Sequence, residues 1–125
     1  MTEQKYKFLS TPRRPVEDRR FVAGRGKFIA DLDRPNMLHV APLASHYAAA
    51  AINGIDASAA LAMPGVVDVI TGAELAAAVQ PLMNGLNTPN VRRFPLAVDR
   101  VRYAGEWVCA VVAESRALAE GALEK

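Results

Sequence analysis

The stretch from Ile55 to Leu75, IDASAALAMPGVVDVITGAEL, restricts the fold of this chain more than any other segment. Asp56 suits the N-cap of a helix over ASAALAM, because its carboxylate accepts from backbone N–H groups that otherwise lack partners. Pro64-Gly65 then ends that helix. VVDVIT, residues 66–71, is β-branched enough to be a strand, and Thr71 with Glu74 forms the T-x-x-E capping box that opens a helix over GAELAAAV. Helix, strand and helix in so little chain require helices packed on a small sheet, an α/β or α+β architecture.

The flanks extend that order. MLHVAPLAS from Met37 reads as a strand, with Pro42 marking a bulge or an edge position. Ala48 to Ile55 is read as a second short strand, against the helical preference of its four alanines, because it ends in Asn53-Gly54 and leads straight into the Asp56 cap. Downstream, residues 80–97 hold three prolines and a glycine and predict a long irregular loop, a segment that in a compact domain usually serves function or a partner. A short extended piece follows at Val101 to Tyr103, then a turn at Gly105. WVCAVVAE is apolar at successive positions, which predicts a strand covered on both faces. Ser115 caps a final helix in which Arg116 and Glu120 are spaced to pair. The resulting order is β, β, α, β, α, loop, β, α: a small mixed sheet with packed helices.

The first third is different. Residues 1–15 contain Thr11-Pro12 and Arg14-Pro15 and lack periodicity, so they are expected to form an extended arm, frayed or lying on another surface, with Tyr6 and Phe8 as anchors. VEDRRFV predicts one helical turn broken by Gly24 and Gly26, and KFIADLDRPN predicts an extended piece ending in a Pro-Asn turn. With 125 residues the chain has room for one core, so residues 16–125 are expected to be a single domain.

Composition narrows the function classes. Apolar residues make up 51% and charged residues 22%, as in a globular protein, and no apolar run is long enough to span a bilayer. MTEQKYKFLS has no apolar h-region, so a cytoplasmic location is expected. Net charge is +2, with nine Lys/Arg and five Asp/Glu in residues 1–34 and six against eight afterwards. RRPVEDRR carries acids between its arginines, which argues against a nucleic-acid footprint.

No constellation here supplies catalytic chemistry. Gly24-Arg25-Gly26 resembles a dinucleotide or phosphate loop only in part, since residue 29 is Ile and no GxxxxGK[ST] follows; it reads as a turn. His39 and His46 have no Cys or carboxylate at a spacing that would complete a zinc site. Ser45 lacks a GxSxG context, and Glu17-Asp18 sits beside Arg19-Arg20 as local ion pairs. The single Cys109 lies in an apolar run, where a buried inert thiol is expected. Arg92-Arg93 in the long loop is a solvated pair or a holder of an anion or of a partner's carboxylates.

Three ordered stretches carry a family resemblance: RRPVEDRRFVAGRGKFIADLDRPNMLHVA, INGIDASAALAMPGVVDVITGAEL and PLAVDRVRYAGEWVCAVVAESRALAE. Together they cover most of residues 13–120 and resemble the start of the molybdenum-binding large subunit of the xanthine dehydrogenase, aldehyde oxidase and carbon monoxide dehydrogenase family. The resemblance implies an α/β hammerhead domain at 16–125, incomplete at its C-terminus because the family continues beyond the final helix. It implies an oxidoreductase that hydroxylates an aldehyde or aromatic heterocycle with oxygen from water. The implied cofactor is molybdenum on molybdopterin, in its cytosine dinucleotide form. The remaining molybdopterin-binding domains or subunit, an FAD subunit and a 2Fe-2S iron–sulfur subunit are the implied partners. In that family the pterin-binding residues and the catalytic glutamate occur much later, so no catalytic, cofactor-binding or metal-binding residue is expected here. The expected contributions are interface residues: Arg92, Arg93, Phe94, Tyr6, Phe8 and Trp107. The sequence departs from the family in reading Ala44-Ser45-His46-Tyr47 and four alanines where an Arg-Ser-Pro-His-Ala-His-Ala-Arg-like stretch is common, and in placing Trp107 where a small residue or Pro is usual. A stand-alone interaction module of the same fold is the alternative that these departures suggest.

Overall fold

A computed structural model describes residues 15, 16, 18–82 and 92–125. The chain divides into two compact units, Met1–Arg34 and Pro35–Lys125. In the first, the expected helical turn is α1, Asp18–Val22, and Gly24 follows it at φ 67°. Phe21 and Phe28 stack with ring centroids 5.4 Å apart, and Gly26 lies so close to the Phe21 ring that a Cβ there would meet it at 2.3 Å. KFIADLDRPN is not extended throughout as its composition suggested. Ile29–Asp31 forms a 3-10 turn, because the Asp31 carboxylate accepts from the Phe28 N–H at 2.9 Å and folds the chain back locally.

The second unit contains β1 (His39–Ala44), β2 (Ala50–Ala51), α2 (Ser58–Leu61), β3 (Val66–Thr71), α3 (Gly72–Ala78), β4 (Arg100–Val101), β5 (Trp107–Ala113) and α4 (Arg116–Ala122). The element order of a small sheet with packed helices is borne out, with the strands divided between two sheets. One is three-stranded in the order β1-β5-β3, the other pairs β2 with β4, and each pairing is antiparallel. Pro42 sits on the edge strand β1, in register with Ala110, so the edge position of the two alternatives is realised; the register shift of this strand falls between Leu43 and Ala44.

The core lies between the sheet and α2 and α4. Cys109, Val111 and Ala113 point to one face of β5 and are 4%, 2% and 0% exposed. Cys109 and Val111 pack with Val69, Ala60 and Ala122 in one cluster, and Ala113 packs with Ala41 and Ala119 in an adjoining one. Gly65 at φ 86° and Gly105 at φ 89° hold turns that an L side chain would strain.

Three expectations are corrected. β2 shrinks from residues 48–55 to Ala50–Ala51, since alanine gives a strand little side chain to pack and β4 offers only a two-residue partner. Asp56 acts one residue outside the cap position, accepting from the Ser58 N–H at 3.0 Å while Ala57 occupies the cap. Hydrogen bonds from Ser58, first from its side chain and then from its backbone, hold the Asp56 carboxyl below its ordinary value. The third concerns β5: it is central in its sheet as its apolar run implied, but only one face is fully packed. On the other, Ala110 is buried, Val108 and Val112 are half-buried, and Val40 on the neighbouring strand is 61% exposed.

Candidate interaction groove

The start of β5 is held by loop segments from two directions. The Ala97 N–H donates to the Trp107 carbonyl at 2.7 Å, laying residues 92–97 alongside the strand. On the other side the Ser45 N–H donates to the Glu106 carbonyl and the Gly105 N–H to the Ser45 carbonyl, both at 2.8 Å. A close approach fixes the first segment further: Gly72, at the start of α3, faces the Ala97 carbonyl so tightly that a Cβ would lie 1.8 Å from its oxygen.

Between these segments opens a groove of about 670 Å³. Its lining includes Arg92, Arg93, Phe94, Tyr103 and Trp107, with Leu82 brought in by an antiparallel bridge to Arg93. Tyr103 is 51% and Trp107 50% exposed, whereas Leu96, also in the lining, is 5% exposed. Four of the residues expected at an interface, Arg92, Arg93, Phe94 and Trp107, therefore converge on one surface. Tyr6 and Phe8 lie outside the described residues.

The charges of the groove are unequal in their freedom. Arg102 is tied to Asp99 at 3.2 Å and to Glu106 at 3.9 Å, and it also donates to the Arg100 carbonyl. Glu106 accepts from the Arg102 N–H as well, so the two carboxylates are engaged with Arg102. The Arg102–Asp99 pair is exposed and contributes little to stability, whereas Glu106, its side chain only 15% exposed, holds Arg102 from a largely buried position. The side chains of Arg92 and Arg93 are exposed and have no ion pair or hydrogen bond among the described residues. Tyr103 and Arg102 were not singled out from the sequence; the spacing of Asp99, Arg102 and Glu106, with the turn at Gly105, was the signal present.

Other candidate groups are structural. Burial pushes the Cys109 thiol up, which suits the inert core residue expected. His39 is half-buried on β1 and His46 is exposed. Among the described residues no three His, Cys, Asp or Glu side chains stand close enough to share a metal ion. Among the same residues no helix is long and apolar enough to cross a membrane.

Residues 23–125 match the family described as the aldehyde oxidase and xanthine dehydrogenase a/b hammerhead domain. The chain belongs to this family. It is 42% identical to the nicotine 6-hydroxylase large subunit of Paenarthrobacter nicotinovorans, over 87% of this chain and 14% of that protein. To the carbon monoxide dehydrogenase large chain of Afipia carboxidovorans it is 36% identical, over 97% of this chain and 15% of the relative. Among solved structures it is similar to quinoline 2-oxidoreductase from Pseudomonas putida 86, with a TM-score of 0.80 at 42% identity, covering 87% of this chain and 14% of the other. The chain thus spans about one-seventh of the length of these relatives.

Proposed function

We propose that this hammerhead is the architectural front portion of a molybdenum hydroxylase large subunit. The observation that carries this reading is the match over residues 23–125, together with 42% identity to a hydroxylase large subunit. Residues 16–125 serve as the hammerhead proper; the arm expected over residues 1–15 lies, but for Pro15, outside the described residues. Its role is to pack on the cofactor-bearing domains and to present the groove at Arg92–Trp107 as part of an interface. The partly uncovered face of β5, with Val40 largely exposed, supports work inside a larger assembly, since contiguous apolar surface of this kind favours burial against a partner.

In this reading the assembly oxidises an aldehyde or aromatic heterocycle in the cytoplasm. Hydroxylation with water-derived oxygen is the chemistry supplied by molybdenum on a molybdopterin cytosine dinucleotide when bound in the remaining domains, with FAD and 2Fe-2S clusters on partner subunits as the electron path. The residues of this chain take no step in that reaction; they support the scaffold.

Native mass spectrometry with elemental analysis, on the complex that contains this sequence in its own cells, tests the proposal. Recovery with molybdenum on the same or a companion polypeptide, and with an iron–sulfur chain, is the expected result. Recovery without molybdenum or iron overturns it and points to a hammerhead used as a stand-alone interaction module.

A further inference from the structure

From the chemistry of the groove we infer that it docks an extended protein segment carrying carboxylates next to aromatic or aliphatic side chains. This goes beyond the function proposed above, because the recognition chemistry is the same whichever assembly the chain serves.

Four observations carry it. First, the exposed groups are those that dominate protein interfaces: Trp107, Tyr103, Arg92 and Arg93 line one surface. Second, the positive charge has a direction. Asp99 and Glu106 are both engaged with Arg102, so the lining carries a net charge of +1 from three arginines and two carboxylates, and its positive end is at Arg92 and Arg93, whose side chains have no carboxylate partner among the described residues. An acidic segment completes that pattern, its carboxylates meeting Arg92 and Arg93 while apolar side chains cover Trp107 and Tyr103.

Third, the groove lacks the marks of a small-molecule site. No buried polar or charged side chain is found among the described residues, so nothing rigid and desolvated waits to orient a compact ligand. Fourth, two carboxylates in the lining disfavour a phosphate backbone, and a net excess of one positive charge is too small for the counterion release that drives nucleic-acid binding.

Trp107 is the only tryptophan, so its fluorescence reports on the groove alone. The full chain is titrated with the acidic copolymer poly(Glu,Tyr), exciting only tryptophan, and with a single-stranded oligonucleotide and inorganic phosphate as comparison probes. The expected result is a blue shift of Trp107 emission with loss of quenching by acrylamide, produced by the copolymer and by neither comparison probe. Binding should weaken on the order of tenfold in the double variant Arg92→Glu/Arg93→Glu and with added salt. An unchanged thermal transition shows that the variant is folded, and the milder Arg92→Gln/Arg93→Gln should weaken binding less. An unshifted Trp107 overturns the inference. So does a shift that survives charge reversal, or one given equally by the oligonucleotide or by phosphate. The metal content of the native complex has no bearing on these outcomes, so this inference and the proposed function fail separately.

Discussion

The sheet core and the groove invert the usual relation between side-chain size and burial. Seven of the twelve buried apolar residues are alanine, among them Ala41, Ala60, Ala113, Ala119 and Ala122, and no large side chain is fully buried among the described residues. The groove, a few residues away along β5, exposes half of Trp107 and half of Tyr103. Small residues let α4 lie close on β1 and β5, so the core is held by close backbone approach and shape more than by large buried area. The large aromatic area is left where a partner can use it. The difference teaches that β5 runs from a large, half-exposed aromatic at its start into closely packed, smaller side chains from Cys109 onward.

Substitutions should separate the two ends, and the largest effect belongs to the core. Val111→Asp places an unpaired charge at a 2% exposed position in the central strand; a loss of at least about 4 kcal/mol and of the cooperative thermal transition is expected by circular dichroism. A near-normal transition would break the comparison at its base. Next comes Gly72→Ala, whose Cβ meets the backbone oxygen of Ala97 with no flexible side chain to give way. A loss of about 2–3 kcal/mol in urea denaturation is expected from such overpacking. It should also perturb Trp107 emission, since Ala97 is bonded to the Trp107 carbonyl.

A smaller effect is expected at the capping box. The Thr71 hydroxyl accepts from the Glu74 N–H at 3.3 Å and donates to the Glu74 carboxylate at 2.7 Å, so Thr71→Ala should cost about 1 kcal/mol. Hydrogen bonds from Thr71, first from its backbone and then from its side chain, lower the Glu74 pKa from its ordinary 4.5. A carboxyl depressed in the folded state adds stability that is present above 4.5 and disappears as pH falls through the folded value. Glu74→Gln should therefore flatten the acid limb of a stability profile measured below pH 4.5. The smallest effect is expected in the groove: Tyr103→Ser, at a half-exposed position, should change folding stability by no more than about 0.5 kcal/mol. A larger loss there would mean that the groove is part of the core.

Much of the fold was legible because its signals are local. Val66–Thr71 and the Thr71–Glu74 box follow from β-branching and from one hydroxyl and one carboxylate three residues apart, and both occur as read. Ser115 likewise caps α4 by accepting from the Leu118 N–H. The alanine run was legible as a strand but not in its extent, since Ala48–Ala51 has small side chains that fit helix or strand and only pairing with β4 limits it to Ala50–Ala51. The groove was half legible. Arg92, Arg93, Phe94 and Trp107 stood out by type, but their convergence depends on the bond from Ala97 to Trp107, between residues ten apart with no periodic relation.

By itself the sequence determined the order of elements, the strand character of WVCAVVA and membership in the hammerhead family, because caps, β-branching and ordered motifs act over a few residues. Tertiary structure alone decided that Gly72 must lack a side chain, that one face of β5 is only partly covered, and that three arginines and three aromatics share one groove. Those features depend on distances between segments far apart in the chain, which pairing and packing set and local propensity does not encode.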